Sequence, residues 1–223
     1  MKRALALLVL LSLVGLTSAH ASKPEEVPFS KADVAAHPEL AAWLKLWTPP
    51  LSRLTASSFR LAGEWDSLGY VIDDLVSFGS KGLPRWQLKQ LLYSPDSTWA
   101  VDFWFDQVDS TGRNVQDVDM FIALFNLVNK HAYEVLGCGT VCGFHAATWV
   151  SASSFLVCGW EECFDYPPNE RILPVVYRFD VQDQRVRAFH GPDLGWKYLD
   201  PLDAAVRGLW RVWFPWLRFE ESD

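Results

Sequence analysis

The sequence predicts a mainly β protein built from antiparallel sheets, with short helices near the N- and C-termini. Three observations lead to this fold class. Short runs rich in Val, Ile, Phe, Tyr and Trp fill the chain from about residue 59 to 189, separated by Gly, Pro, Asp, Asn and Ser. Apolar residues at helical spacing occur only on either side of that region. Half of the 223 residues are hydrophobic, which is enough for a packed core.

The first 21 residues have the pattern of a cleavable secretory signal. Lys2 and Arg3 precede an apolar run from Ala4 to Leu16, and Ala19-His20-Ala21 has the form of a cleavage site. The run of about 13 residues is shorter than the roughly 20 that a membrane-spanning helix needs. We therefore expect cleavage after Ala21 and a secreted or periplasmic protein. An uncleaved anchor or a buried helix is the alternative.

Charge and composition narrow the range of partners. The chain has a net charge of −7, and removal of Lys2 and Arg3 leaves 18 basic against 27 acidic residues, a net charge of −9. Such a chain repels phosphate backbones, so no nucleic-acid partner is expected. No later stretch has the length and apolar character of a membrane span, so an integral membrane protein is not expected either. Residues 22–223 are expected to form one β-rich domain, with a helical segment at 22–58, sheets at 59–190 and a C-terminal helix and tail at 191–223.

The predicted helices have start signals. Ser30 and Asp33 fit a capping box, and Pro38 suits the first position of a helix. The apolar face of that helix would consist of Leu40, Trp43, Leu44 and Trp47. Near the C-terminus, Asp200 and Pro201 begin a second helix, which we expect to pack on a sheet. A membrane-surface role for that helix is the alternative.

The strands are predicted from apolar and aromatic runs between turn residues. They are Phe59–Trp65, Tyr70–Phe78, Lys89–Tyr93, Trp99–Phe105, Met120–Val128, Ala132–Leu136, Ala147–Val150, Phe155–Trp160, Val175–Val181 and Arg185–Phe189. Tight hairpin turns are expected at Asn129-Lys130 and Gln182-Asp183.

Two segments share one pattern, a strand, a long loop and a hairpin. Trp104 in the first corresponds to Trp160 in the second, and the hairpin at Asn129 corresponds to the hairpin at Asp183. The run from Leu91 to Asp96 before a strand resembles the blades of WD40-like and TolB-like β-propellers, and the resemblance covers residues 88–190.

The resemblance implies two propeller-blade-like units, or three if residues 59–78 form a further one. A closed propeller usually takes at least four blades. We therefore expect an open stack capped by the terminal helices, or an assembly of several chains. A plain β-sandwich is the alternative.

The four cysteines, Cys138, Cys142, Cys158 and Cys163, are expected to form disulfides after export. If Ser151–Ser154 is a hairpin turn, the register places Cys142 opposite Cys163, at a distance that a disulfide can span. The prediction is Cys142–Cys163 with Cys138–Cys158, and the alternative is the local pairs Cys138–Cys142 and Cys158–Cys163. A zinc site that includes His145 is a further alternative, although the spacings differ from the common C-x2-C knuckle.

Both units carry an acidic loop at the same place, Asp106–Asp119 and Glu161–Leu173. Insertions at equivalent places in a repeat emerge on one face, which is often the binding face. The candidate binding residues of this acidic rim are Asp106, Asp109, Asp117, Asp119, Glu161, Glu162 and Asp165. The rim is expected to bind a protein partner, a basic ligand or Ca²⁺. A solvated rim that only adds solubility is the alternative.

No motif assigns catalysis. The sequence has no G-x-S-x-G, H-E-x-x-H, Walker or G-x-G-x-x-G pattern, so no catalytic residue is predicted. No cofactor is predicted either, with Ca²⁺ and Zn²⁺ as the alternatives. The twelve tryptophans either pack in the core or stack on sugars. The expected function is a non-catalytic binding or assembly module. The alternative is a secreted carbohydrate-binding protein or hydrolase with a Trp-lined site and a carboxylate acid and base.

Overall fold

The structure is a computed structural model, and it describes residues 26–47, 54–66, 70–71, 83, 88–103, 120–139, 141–163, 171–194, 207–210 and 212. The predicted signal at residues 1–21 lies outside the described residues. Within them the chain is mainly β and has few helices. No helix in these ranges combines the length and the apolar character needed to cross a membrane.

The N-terminal helices follow their sequence signals. Helix α1 spans Lys31–Ala36 and helix α2 spans Pro38–Leu46. The Ser30 hydroxyl accepts a hydrogen bond from the backbone N–H of Asp33, and the Asp33 carboxylate accepts one from the backbone N–H of Ser30, so the predicted capping box is confirmed. The backbone between the helices is extended because a residue before proline avoids the helical region. The predicted apolar face is also confirmed, since all four of its residues are buried.

The strands form two antiparallel sheets of the same size. Sheet I has the order β1-β10-β9-β8-β7, with β1 at Arg60–Asp66, β7 at Cys142–Trp149, β8 at Ser154–Cys163, β9 at Arg171–Asp180 and β10 at Arg185–His190. Sheet II has the order β2-β6-β5-β4-β3, with β2 at Tyr70–Val71, β3 at Leu91–Tyr93, β4 at Trp99–Asp102, β5 at Met120–Asn126 and β6 at His131–Cys138. A single 3₁₀ turn, Ala56–Ser58, precedes β1.

The two sheets have the same strand order. In each sheet four consecutive strands form a meander, β3 to β6 or β7 to β10, and an earlier strand pairs with the last one. Neither sheet closes on itself in the described part of the chain. The prediction of a mainly β fold with antiparallel sheets is therefore confirmed, whereas the propeller-blade-like character of the units stays a prediction.

All ten predicted strands have a counterpart, with different ends. Strands β7 and β9 begin several residues earlier than predicted, because β8 is long enough to pair with both extensions. Residues 72–78 and 104–105, which were predicted to be strand, lie outside the described residues. Of the predicted C-terminal helix, residues 207–210 are helical, and most of the remainder lies outside the described ranges.

The described residues form three buried clusters, and two of them lie on the two faces of sheet I. Phe155 and Val157 of β8 lie in a core shared with Val101 and Leu124 of sheet II, so the two sheets pack face to face. Leu156, between them in sequence, lies in a second core with Trp43 and other residues of the helical segment. Sheet I is therefore buried on both faces, which explains why β8 reads as a continuous apolar run.

The hairpins β5–β6 and β9–β10 turn in the same way. At the end of the first strand, the side chain of Asn126 or Asp180 accepts hydrogen bonds from the backbone N–H groups two and three residues further on. Lys130 and Gln184, the last residues of the two turns, have φ angles of 61° and 54°. The two predicted turns lie inside these loops and are confirmed.

The cysteine pairing differs from the prediction. A disulfide joins Cys138, at the end of β6, to Cys142, at the start of β7, with the Cα atoms 5.6 Å apart. Cys158 is buried with a free thiol. The predicted pairs Cys142–Cys163 and Cys138–Cys158 are therefore wrong, and the local alternative is right only for Cys138–Cys142. Cys158 and Cys163 are five residues apart on one strand, roughly 16 Å, which is beyond the reach of a disulfide.

The strand register explains the error. The prediction placed Val150 opposite Phe155, but Trp149 holds that position, so the hairpin register differs by one residue. A bulge in β7 shifts the pairing by one more, and Cys142 lies opposite Glu161, two residues short of the predicted partner. Register therefore decided the disulfide, and two one-residue shifts were enough to change it.

Candidate functional site

The structure describes two residues of the predicted acidic rim, Glu161 and Glu162. The others, Asp106, Asp109, Asp117, Asp119 and Asp165, lie outside the described residues. Glu161 and Glu162 are consecutive on β8, so their side chains point to opposite faces of sheet I. Glu161 shares the face of Val157, toward sheet II, and Glu162 shares the face of Leu156, toward the helices. The structure separates these two carboxylates, and the described side chains that contact Glu161 come from other strands.

The Glu161 carboxylate is held by two side chains from the neighbouring strands. The Tyr177 hydroxyl, on β9, donates a hydrogen bond to Oε1. Nε2 of His190, at the end of β10, lies 2.9 Å from Oε2. Each carboxylate oxygen therefore has its own donor. We refer to Glu161, Tyr177 and His190 as the carboxylate cluster.

Strand register brings the carboxylate cluster together. Tyr177 pairs with Val157 on β8, and His190 pairs with Val175 on β9. Paired residues and every second residue along a strand share a face, so all three cluster residues lie on the face toward sheet II. Sequence reasoning identified Glu161 and missed its partners. No local spacing points to them, because the contacts depend on the pairing of three strands.

A row of aromatic rings runs beside the carboxylate cluster. The ring centroids of Trp65 and Tyr177 are 6.3 Å apart, and those of Tyr177 and Phe144 are 6.0 Å apart, both edge to face. Ala188 lies beside Tyr177 on β10 and Gly159 lies beside Phe144 on β8, so small residues leave room for the rings. The row extends from the edge strand β1 to the edge strand β7.

Trp65 is the exposed end of this row. Its side chain is 42% exposed, whereas the other tryptophans in the described part of the chain are buried or half-buried. The fully or nearly fully buried ones are Trp43, Trp47, Trp149 and Trp160. Most of the described tryptophans therefore pack in the core. The ring of Trp65 is accessible to a ligand beside the carboxylate cluster.

The electrostatics of the carboxylate cluster keep Glu161 ionised. The hydrogen bond from His190 lowers the pKa of Glu161, and the hydrogen bond from Tyr177 adds to this, although burial opposes both. Burial raises the pKa of Tyr177, and its bond to the ionised Glu161 raises it further. At neutral pH the pair is therefore a carboxylate and a neutral phenol, with the phenol as donor.

His190 also lines an open concavity of about 520 Å³. The residues around it are Ser57, Ser58, Arg60, His190, Gly191 and Pro192. The guanidinium of Arg60 donates to the backbone carbonyl of Ser57, which ties the 3₁₀ turn to the start of β1. His190 is therefore the residue of the carboxylate cluster that also lines this concavity.

The buried cysteine and histidine of the helix-facing layer do not form a nucleophile. Burial raises the pKa of the Cys158 thiol, and the charge of Glu39 adds to the rise. Burial lowers the pKa of His145 to about 3. Both groups are therefore neutral at neutral pH, whereas the reactive form of cysteine is the thiolate.

The metal alternatives find no support in the described residues. The sulfur atoms of Cys138 and Cys142 are bonded to each other, so they are not available as zinc ligands. Within the described ranges, no group of three or more His, Cys, Asp or Glu side chains is arranged to hold a metal ion.

Together these observations define a class of protein, a mainly β chain of two facing antiparallel sheets with a half-buried carboxylate cluster on the inner face of one of them. Comparison of the chain with protein-family models, with curated proteins and with solved structures gave no match.

Proposed function

We propose that this protein is an exported, non-catalytic binding module that holds a basic segment of a partner protein against Glu161 and Trp65. The observation that carries the proposal is the state of Glu161. Both of its oxygens accept hydrogen bonds, and its pKa is lowered. Such a carboxylate is a fixed negative charge suited to recognition.

The same observation argues against the hydrolase alternative. A glycosidase needs one carboxyl group with a raised pKa as its proton donor. Hydrogen bonds that favour the ionised form of Glu161 act in the opposite direction. Among the described tryptophans, only Trp65 has an exposed side chain, so the described surface does not have the tryptophan-lined cleft that the sugar-binding alternative needs.

Trp65 adds a second element of recognition for a basic group. A Lys or Arg side chain over the face of an indole ring gains about 0.5–1 kcal/mol at an exposed site. The edge-to-face contact with Tyr177 places the Trp65 ring on the sheet face that carries Glu161. The ring and the carboxylate would thus contact neighbouring basic side chains of one segment.

Net charge supports a basic partner. The chain has a net charge of −7, and the acidic loop that starts at Glu161 continues with further carboxylates in sequence. A field of one sign attracts a ligand of the opposite sign over about one Debye length and raises the association rate. Binding of this kind weakens as salt is added.

Export is the second part of the proposal. The N-terminal sequence has the pattern of a secretory signal. The Cys138–Cys142 disulfide is consistent with an oxidising compartment, where such bonds persist. Cleavage would leave Ser22 as the first residue of the mature chain.

We further propose that the two sheets are two copies of one propeller-blade-like unit. The support is the shared strand order and the matched turns at Asn126 and Asp180. Two such units leave outer faces to cover. Leu40 and Trp43 of α2, with other residues of the helical segment, cover the outer face of sheet I, as the open-stack arrangement requires.

The binding proposal is tested with labelled peptides. Fluorescence anisotropy with fluorescein-labelled nona-arginine should show binding at low salt that weakens as salt is added, and nona-glutamate should not bind. Glu161→Gln and Trp65→Ala should each weaken nona-arginine binding by about fivefold, which corresponds to about 1 kcal/mol.

The matched control is Asp183→Asn at the exposed β9–β10 turn, which removes one negative charge without touching the carboxylate cluster. This variant should change the affinity by less than about twofold if position matters more than total charge. Equal weakening by Asp183→Asn and Glu161→Gln would show that the site is not specific. Binding of cellohexaose that depends on Trp65 and Glu161, with no binding of nona-arginine, would favour the carbohydrate alternative and overturn the proposal.

A further inference from the structure

We propose that a second site, a cavity between strands β3 and β7, binds a small organic amine with an apolar body. The cavity has a volume of about 490 Å³. Its lining residues are Glu39, Leu91, Leu92, Tyr93, Pro95, Ala146, Ala147, Thr148 and Trp149. The site is independent of the carboxylate cluster, and none of these residues belongs to that cluster.

The cavity lies where the edges of the two sheets meet. Strand β3 is the outer strand of sheet II and β7 is the outer strand of sheet I. The indole N–H of Trp149 on β7 donates a hydrogen bond to the carbonyl oxygen of Leu92 on β3, with 2.7 Å between the two atoms. This contact ties the two edges together, so the walls of the cavity are held in place by both sheets.

Apolar side chains form most of the wall. Leu91, Ala147 and Trp149 are buried and belong to the hydrophobic cores of the two sheets. Tyr93, which also lines the cavity, is 44% exposed, so one aromatic residue of the wall is accessible to solvent. Small-molecule sites in proteins are typically concave, mostly apolar and about 300–1,000 Å³ in volume, and this cavity lies in that range.

The polar side of the cavity has one formal charge. Among the lining residues, all of which the structure describes, Glu39 is the only acidic or basic one. Its side chain is 24% exposed, and its Oε1 lies 3.5 Å from Nδ1 of His37. The same nitrogen lies 3.0 Å from the hydroxyl oxygen of Thr148. The His37 ring therefore lies between the carboxylate and strand β7.

Helix α2 determines where the carboxylate lies. Pro38 begins the helix, so Glu39 is placed in the first turn, and the buried face of the helix is anchored by Leu40 and Trp43. An apolar wall with one fixed carboxylate complements a ligand whose apolar part ends in a protonated amine. A carboxylate ligand of the same shape would face repulsion from Glu39 and gain only the apolar contacts.

The test uses three probes with one apolar body and different ends, 4-phenylbutylamine, 4-phenylbutanol and 4-phenylbutyrate. Titration calorimetry should rank the amine first and the carboxylate last, with at least a tenfold difference between those two. The indole N–H signal of Trp149 should shift in ¹H–¹⁵N spectra when the amine is added. Equal affinities for the three probes, or no binding of the amine, would overturn the proposal.

Glu39→Gln identifies the source of the preference. This variant should bind the amine and the alcohol with equal affinity, while the affinity for the alcohol stays within about twofold of the parent protein. Asp183→Asn is the matched control, because it removes the same charge away from the cavity, and it should keep the full preference for the amine. A preference that persists in Glu39→Gln, or that is lost in Asp183→Asn, would contradict the assignment. The Glu161→Gln variant, which is expected to bind nona-arginine more weakly, should keep the preference for the amine. Each of the two proposals can therefore be contradicted without affecting the other.

Discussion

At the scale of single residues, the position of His145 at an irregular point of the backbone determines the pKa of its side chain. It lies in the bulge of β7, where Phe144 faces sheet II and Ala146 already faces the helices. The imidazole is buried, and its ring centroid lies 6.4 Å from that of Trp47 in a stacked arrangement. Its Nδ1 has no hydrogen-bond partner among the described residues, so nothing there favours the charged form.

This burial predicts a loss of stability in weak acid. The pKa of His145 falls from an ordinary 6.5 to about 3 on folding, so between these values the unfolded chain binds a proton that the folded chain does not. Stability therefore decreases as the pH falls from 6.5, by up to about 1.4 kcal/mol per pH unit. Urea unfolding at pH 7, 6 and 5 should show this slope in the parent protein and not in His145→Phe. The same slope in both proteins would assign the effect to other groups.

His145 and Glu161 affect the stability of the protein in different ranges of pH. The pKa of Glu161 is lowered from an ordinary 4.5, so its contribution to stability is present above that value and is lost as the pH falls through the lower folded-state pKa. The range from 6.5 to 5 therefore reports on the histidine with little contribution from this carboxylate.

At the scale of elements, the β7–β8 hairpin depends on a glycine, Gly159, at a close backbone contact. A Cβ added at Gly159 would overlap the carbonyl oxygen of Gly143 on the neighbouring strand, so β7 itself would have to move. The bulge in β7 begins directly after this contact, at Phe144. Only glycine at position 159 therefore permits the backbone path of β7 that places Phe144 beside Tyr177.

Gly159→Ala should therefore be strongly destabilising. We expect a loss of more than about 2 kcal/mol, since overpacking against backbone is relieved only by moving a strand. Gly208→Ala is the matched control. A Cβ there meets no atom within 4 Å and Gly208 lies in a helical segment, so the change should be neutral or stabilising by up to about 1 kcal/mol. Comparable stability of the two variants in chemical denaturation would show that the close approach has no energetic consequence.

At the scale of the whole molecule, a short connection joins the two sheets. Strand β6 of sheet II ends at Cys138, and strand β7 of sheet I begins at Cys142. The disulfide joins these two residues across the connection between the sheets. Around it, sheet I is packed between sheet II and the helical segment. The chain therefore passes between the two sheets twice, from β1 to β2 and from β6 to β7, and the disulfide adds a covalent link at the second crossing. A shared apolar core holds the sheets together elsewhere.

This arrangement predicts a specific cysteine pattern in the exported protein. Peptide mass mapping without reduction should find Cys138 linked to Cys142, and the N-terminal peptide should begin at Ser22. A thiol reagent should modify Cys158 after denaturation and not before, because the native side chain is buried. A peptide that links Cys158 to another cysteine, or an N-terminal peptide that includes residue 21, would contradict the structure or the export proposal, respectively.

Sequence patterns with a short range predicted most of the fold. The capping box at Ser30, the helix start at Pro38 and the apolar face through Trp43 each depend on residues a few positions apart, and each is confirmed. The strands were found for the same reason, since alternation and turn residues are local signals. The cysteine pairing was wrong because it depended on register, which the hairpin turn and the bulge in β7 each shifted by one residue.

The amino-acid sequence by itself determined the class of fold, the position of the strands and turns, and the acidic character of the chain, because these follow from local periodicity and composition. Tertiary structure decided which side chains meet. Glu161 finds Tyr177 and His190 only through the pairing of β8, β9 and β10. Glu39 reaches the cavity beside β7 only because α2 packs on sheet I. The physical reason is that strand register and layer packing minimise the free energy of the whole chain, and no short segment contains that information.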